Sequence, residues 1–318
     1  MSHALMIGTV ALDTVETPRH GRVERALGGS ASYGAIAGSW FAPVAVLANV
    51  GQDFPQEYID RLTSREVDIS GLEIAEGLSF HWAGRYEEDM NQRTTLATDL
   101  NVLLDFNPQL SAQHRAARFV FLANIHPALQ LSVLDQLEAP ELVALDTMNF
   151  WISGNREELT EVIKRVHLLL LNEEEARQYC GVDSLVEAGR RLLEMGPSSV
   201  VIKKGEHGAL LFQQDGMFSV PAFPLETVKD PTGAGDTFAG ALVAYLSRLG
   251  SATPENVRRA LVVGTLMASF VVEEFSVDRL MSVSPQEVHD RLDRIIEMMT
   301  VPELDRETLQ PRGLVTKS

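Results

Sequence analysis

Short apolar runs recur along the chain, separated by longer stretches in which apolar residues return every third or fourth position. The runs are ALMIGTV (4–10), VAVLANV (44–50), FVFLAN (119–124), LVALD (142–146), HLLLLN (167–172), VVIKK (200–204) and ALLF (209–212). Uninterrupted apolar runs of this length suit buried strands. Between them, Leu185, Ala188, Gly189, Leu192 and Leu193 fall on one face of a helix over 183–195. Phe238, Ala241, Leu242, Tyr245, Leu246 and Leu249 do the same over 238–249. Alternating strands and helices predict an α/β fold, a doubly wound and mainly parallel sheet. Such sheets bind ligands beyond the carboxyl ends of their strands. Several of the runs end there in Asn, Asp, Gly or Lys.

One region breaks the alternation. From 72 to 100, LSFHWAGRY and QRTTLATDL read as β segments around the polar turn EEDMN. This is a hairpin excursion from the core, either a lid or a plain surface hairpin. Strand alternation sends Trp82 and Tyr86 to one of its faces and His81 and Arg85 to the other. Residues 302–318, polar and containing Pro302 and Pro311, read as a tail following a single domain over 1–301.

Composition narrows the partners. The chain has 318 residues, 45% of them hydrophobic, enough for a sizeable core. Acidic residues outnumber basic ones 44 to 27, for a net charge of −17. That balance argues against nucleic acid or an anionic membrane as partner. It still admits a phosphate ligand, because backbone amides and a few local cations can hold one. Cys180 is the single cysteine, so no intramolecular disulfide can form. No signal-peptide pattern opens the sequence and no apolar stretch is long enough to span a bilayer, so the expected location is the cytoplasm.

The chemistry concentrates in DPTGAGDTFAG (230–240). Two readings compete. Asp236 is among the best residues to cap a helix, and glycine before a helix is common. Alternatively, the amides of Gly233, Ala234 and Gly235 form an anion-binding nest at a helix N-terminus, with the Asp236 carboxylate beside it as a base. Nest and base together meet the needs of phosphoryl transfer, which is mostly positioning and charge stabilisation. Other phosphate motifs fail. Gly29 and Gly34 have Walker A spacing but are followed by Ala35 and Ile36, and Phe238 breaks the dinucleotide fingerprint from Gly233. Protein-kinase and HExxH signatures are absent. His126 and Cys180 read as structural, since no other ligand lies at zinc-site spacing.

DPTGAGDTFAG resembles the C-terminal signature of the PfkB, or ribokinase-like, family of sugar and nucleoside kinases. The resemblance extends from about residue 4 to about 295. Gly28-Gly29-Ser30-Ala31-Ser32 is similar to the family's diglycine signature, and Asp13, after MIGTVAL, to its hydroxyl-anchoring acid. Asn172 and Glu175 in LNEEEA resemble its N-x-x-E motif, and KKGEHG (203–208) its nucleotide-side turn.

The resemblance implies a three-layer α/β/α sandwich with a small β lid, formed by about 11–25 and 72–100. It implies Asp236 as general base, with the 233–235 amides stabilising the transferring phosphoryl group. Asp13 would hold substrate hydroxyls, and Gly28 and Gly29 would let the substrate approach the main chain. Asn172 and Glu175 would organise Mg²⁺ through water. Lys203, Gly205 and Gly208 would face ATP. Asp230 and Thr232 lie where the family often binds a monovalent cation such as K⁺, although ASFVVEEFSV (268–277) gives no clear second loop for it. The family's usual substrate Asn is replaced by Tyr33, which either packs in the core or faces the pocket. Arg85 and its hairpin neighbours are candidate substrate contacts. The resemblance makes a sugar the default acceptor. Tyr33 and Trp82 keep a nucleoside open, since either ring can stack on a base. A homodimer through the lid, and a non-catalytic nucleotide or sugar sensor, are further readings.

Overall fold

The computed structural model describes residues 4–304. In chain order its strands are β1 (Ala4–Ile7), β2 (Ala11–Thr17), β3 (Gly21–Gly28), β4 (Val44–Gly51), β5 (Asp68–Ala75), β6 (His81–Tyr86), β7 (Arg93–Asp99), β8 (Phe119–Leu122), β9 (Leu142–Asp146), β10 (Leu168–Asn172), β11 (Ser199–Lys203), β12 (Ala209–Gln213) and β13 (Gly216–Val220). Nine of them form one sheet in the order β13-β12-β11-β10-β9-β8-β1-β4-β5. Every pairing from β5 to β11 is parallel, and β12 and β13 add an antiparallel edge.

Strand alternation divides the apolar residues between two cores. Met6, Val46, Phe121, Ala144 and Leu170 face the helices Ser30–Gly38, Ala234–Leu249 and Pro254–Val271. Leu5, Ile7, Val120, Leu122, Val143 and Leu169 face the opposite layer, with Leu159, Val162, Ala188 and Leu192 of the helices Arg156–Arg165 and Leu185–Leu193. This is the α/β/α sandwich expected. Each large side chain that is fully buried here, such as Phe121, contributes roughly 2–3 kcal/mol of burial. No helix among the described residues is long and apolar enough to cross a membrane.

Two segments differ from the sequence reading. The run 4–10 is split: β1 ends at Ile7, and Thr9 turns the chain by bonding its carbonyl to the Ala31 amide (2.9 Å) and its hydroxyl to the Ser30 amide (3.0 Å). Asp13 therefore belongs to a different sheet from Met6. That second sheet has four strands in the order β3-β2-β6-β7, and its β6–β7 hairpin touches loops after the large sheet's strands, with Tyr86 against Thr232 and Asn91 against Gly205. The expected lid segment 72–100 also starts later. Leu72–Ala75 stay in the large sheet because Gly71 to Ala75 run in register with Leu47 to Gly51. Most of the tail expected at 302–318 lies outside the described residues.

The helices Ser30–Gly38 and Ala234–Leu249 meet backbone to backbone. A Cβ at Gly240 would stand 2.2 Å from the Gly34 carbonyl oxygen. This contact brings the start of the second helix beside the diglycine turn.

Candidate active site

The helix after the glycines begins at Ala234, with Gly233 as its N-cap in the left-handed region (φ 76°) and no side-chain cap. Asp236 thus stands in the first turn and does not cap the helix, as the simpler sequence reading had it. Its carboxylate takes a hydrogen bond from its own amide. The helix makes no demand on it beyond that. Ala234 also differs from expectation: its amide turns back to the Pro231 carbonyl (3.2 Å). The Gly233 and Gly235 amides have no backbone acceptor among the described residues. Burial raises the Asp236 carboxyl to about 7, and the Asp146 charge adds to the rise, while Lys203 and Arg93 oppose it.

One side of the site is built by β2 and the diglycine turn. Asp13 is 5% exposed. A Cβ at Gly28 would stand 2.0 Å from its carboxylate, so only glycine leaves room for it. Burial lifts Asp13 to about 7, with Asp230 and Asp236 adding to the rise and the Gly29 amide opposing it. Gly29 (φ 93°) has its own backbone reason, since a Cβ there would meet the Thr9 carbonyl at 2.4 Å. Tyr33 is 2% exposed and packs in the core, the first of the two places expected for it. It belongs to the core, yet its ring covers Gly233, where a Cβ would collide at 2.4 Å. Burial and the charges of Asp230 and Asp13 hold its phenol well above the ordinary range.

On the other side of Asp236, β10 and β11 end in register at Asn172 and Lys203. Asn172 caps the helix Glu173–Cys180. Its side chain accepts from the Glu175 amide (2.8 Å), and Glu175 accepts from the Asn172 amide (2.7 Å). Glu175 is 4% exposed, and burial raises it to about 7, with Lys203 opposing and Asp146 adding. The Lys203 ammonium is 2.6 Å from Asp146 Oδ2. Burial alone would lower the Lys203 pKa, but Asp146 and Glu175 outweigh it and hold the group above its usual value. Gly205 and Gly208 form the turn after β11, both at positive φ. Asn91, from the turn between β6 and β7, reaches this turn, its Oδ1 only 3.1 Å from where a Gly205 Cβ would be.

The small sheet supplies the cover. Register places Asp13 beside Trp82 and Tyr86 opposite Arg93, so these four share one face of the sheet. Tyr86 is 4% exposed and its hydroxyl accepts from Thr232 (3.2 Å). Arg85 is on the other face, where it pairs with Glu16 (3.1 Å) and is half-exposed. It does not join the group around Asp13 and Asp236. Asp230 is 1% exposed, and its Oδ1 accepts from the Thr232 amide (2.9 Å). Its Oδ2 is buried without a partner among the described residues. The second loop sought for a cation does adjoin it: the Val272 carbonyl accepts from the Lys229 and Asp230 amides, and the Ser276 amide donates to Asp230.

Asp146 and Arg93 were not among the residues singled out from sequence, whereas Tyr86 was, as a hairpin residue facing the same way as Trp82. Only Asp146 left a signal, as the acid that ends the apolar run LVALD at a strand's carboxyl end.

Comparison with known proteins identifies the family and the fold. Residues 4–282 match the pfkB family carbohydrate kinase domain. The chain is 33% identical over 267 residues to a cytidine kinase of Thermococcus kodakarensis, covering 82% of this chain and 94% of that protein. It is 24% identical over 235 residues to a nucleoside kinase of Methanocaldococcus jannaschii, covering 72% of each. The crystal structure of a Methanocaldococcus jannaschii nucleoside kinase superposes with a TM-score of 0.74 at 21% identity, over 92% of this chain and 99% of that one. Aminoimidazole riboside kinase from Salmonella enterica, solved with aminoimidazole riboside and an ATP analogue, superposes at 0.72 and 20% identity, over 91% of this chain and 100% of that one. These last two likenesses establish the ribokinase-like fold. The chain belongs to the pfkB family of carbohydrate kinases. It is a phosphotransferase whose acceptor is a sugar or nucleoside hydroxyl.

Proposed function

We propose that this chain is an ATP-dependent nucleoside kinase with a preference for pyrimidine nucleosides. The nucleoside reading rests on the likeness to a cytidine kinase over 94% of that protein. It replaces the sugar default of the sequence reading. Trp82 supports it: register puts the indole on the same face of the small sheet as Asp13, so a base can stack while the ribose hydroxyls meet the carboxylate.

The observation that carries the mechanism is that Asp236 does not cap its own helix, yet stands in its first turn beside the Gly233 and Gly235 amides, which have no backbone acceptor among the described residues. Asp236 takes the proton of the acceptor hydroxyl. The freed oxygen attacks the γ-phosphorus of ATP, the bond to the β–γ bridging oxygen breaks, and ADP leaves. The Gly233 and Gly235 amides, Lys203 and Arg93 stabilise charge on the transferring group. Closure of the small sheet keeps water from competing with the acceptor. Mg²⁺ on the phosphates would neutralise developing charge. Asn172 and Glu175 suit it as oxygen donors acting through water, because the capping box already engages both. Asp230 suits a monovalent cation, because its buried Oδ2 lacks a partner among the described residues.

The test is an ADP-release screen over nucleosides, pentoses and hexoses with purified protein and Asp236→Asn. Turnover highest on cytidine or uridine and lost in the variant is the expected result. Turnover only on free sugars overturns the nucleoside reading. Turnover that survives in Asp236→Asn overturns the base.

A further inference from the structure

We propose that Asp146 is a positioning residue for phosphoryl transfer, holding the Lys203 ammonium against Gly235 at the mouth of the amide nest. This rests on the reading of the site as a phosphoryl-transfer centre and adds to it a residue outside the sequence motifs.

Asp146 ends β9 and Lys203 ends β11, with β10 between them, so the pair spans a whole strand at the sheet's carboxyl edge. Their side chains are 6% and 16% exposed, and the contact is 2.6 Å. The carboxylate is itself fixed, because Oδ1 accepts from the Thr147 amide at 3.0 Å. A Cβ at residue 235 would stand 3.0 Å from the ammonium and 3.9 Å from Asp146 Oδ2. The pair is thus seated on the glycine that precedes Asp236.

A buried ion pair returns little net stability against apolar residues of the same volume. Stability therefore does not explain this pair, and its place at the nest does. The lysine ammonium sits on a flexible four-carbon stem and stays in one place only if a partner holds it. Without Asp146, its charge would be divided between the other carboxylates acting on it, Glu175 and Asp236. An ammonium drawn to Asp236 would engage the base and leave the phosphoryl path. Asp146 supplies a third acid that prevents both.

A double-mutant cycle tests this on whichever acceptor the wild-type protein turns over best. Asp146→Asn lowers kcat by about tenfold to a hundredfold, the scale of a misplaced catalytic group, with little change in acceptor KM. Lys203→Met lowers kcat at least as far. The double variant is no slower than Lys203→Met alone, and Asp146→Glu recovers part of the loss. An unchanged kcat in Asp146→Asn, or single losses that multiply in the double variant, overturns the proposal. Should Asp146→Asn fail to fold by circular dichroism, Asp146→Ser, which keeps an oxygen for the Thr147 amide, takes its place in the cycle. If the wild-type protein phosphorylates no acceptor, the functional reading has failed by itself. The cycle is then read from the Kd of a non-hydrolysable ATP analogue, where additive losses overturn the pairing and non-additive ones support it.

Discussion

Replacing Asp236 by Asn should stabilise the ligand-free protein while it abolishes turnover. The folded state raises this carboxyl from 3.8 to about 7. A group raised in this way stabilises the fold while protonated, and that contribution is lost as pH rises through about 7. Above that pH the ionised wild-type side chain costs about 4 kcal/mol relative to a neutral one. Asp236 is partly open to the cleft, and solvent screening brings the expected gain nearer about 2 kcal/mol. For a chain of roughly 300 residues that corresponds to about 3 °C in melting temperature. The assay is thermal unfolding of both proteins without ligands between pH 8 and pH 5. The variant should melt higher at pH 8, and the gap should shrink to about half or less by pH 5 as the wild-type carboxyl protonates. Turnover by the same variant should fall by about 10²–10⁴. A variant that melts no higher than wild type at pH 8, or a gap that ignores pH, refutes the account of a strained, charged base.

Three further outcomes follow from the same geometry. In wild type, kcat/KM should fall about a hundredfold per pH unit well below about 7, because Asp13 and Asp236, each raised to about 7, must both be ionised, one to bind and one to deprotonate; a profile flat to pH 5 contradicts this. Gly28→Ala places a methyl 2.0 Å from the Asp13 carboxylate and should raise acceptor KM at least about tenfold with ATP KM unchanged, as measured by steady-state kinetics with each substrate varied. Arg93→Met should lower kcat by about a hundredfold, the scale of one lost charge-stabilising donor, and Asp230→Asn should remove any stimulation by K⁺ in a salt titration.

The sandwich was legible because buried strands declare themselves as apolar runs, and the alternation in VAVLANV or LVALD already divides the side chains between two cores. The helix start at Gly233 was legible because a helix start depends on local sequence. What local sequence cannot contain is a meeting between distant segments. Arg93 and Tyr86 enter the site only because β6 and β7 pair with β2, and Lys203 finds Asp146 only across β10. The run 4–10 misled for a related reason: its apolar pattern continues through the bend that Thr9 makes by bonding Ser30 and Ala31. Arg85 was drawn in by its neighbours in the hairpin, yet strand alternation turns it to the opposite face from Tyr86.

The contact between Gly34 and Gly240 has a consequence for how this enzyme can diversify. With two helices touching main chain to main chain, the diglycine turn and the start of the Asp236 helix move as one rigid piece. By the reading proposed above, the distance from the diglycine turn that receives the acceptor to the base that activates it is therefore set by the scaffold, while Asp13, on β2, goes with the small sheet. A new acceptor can be admitted only by changing what surrounds that fixed span, at Tyr33 beneath it and at Trp82 and Tyr86 above. Substrate range can drift on those aromatic side chains while the chemical step stays untouched.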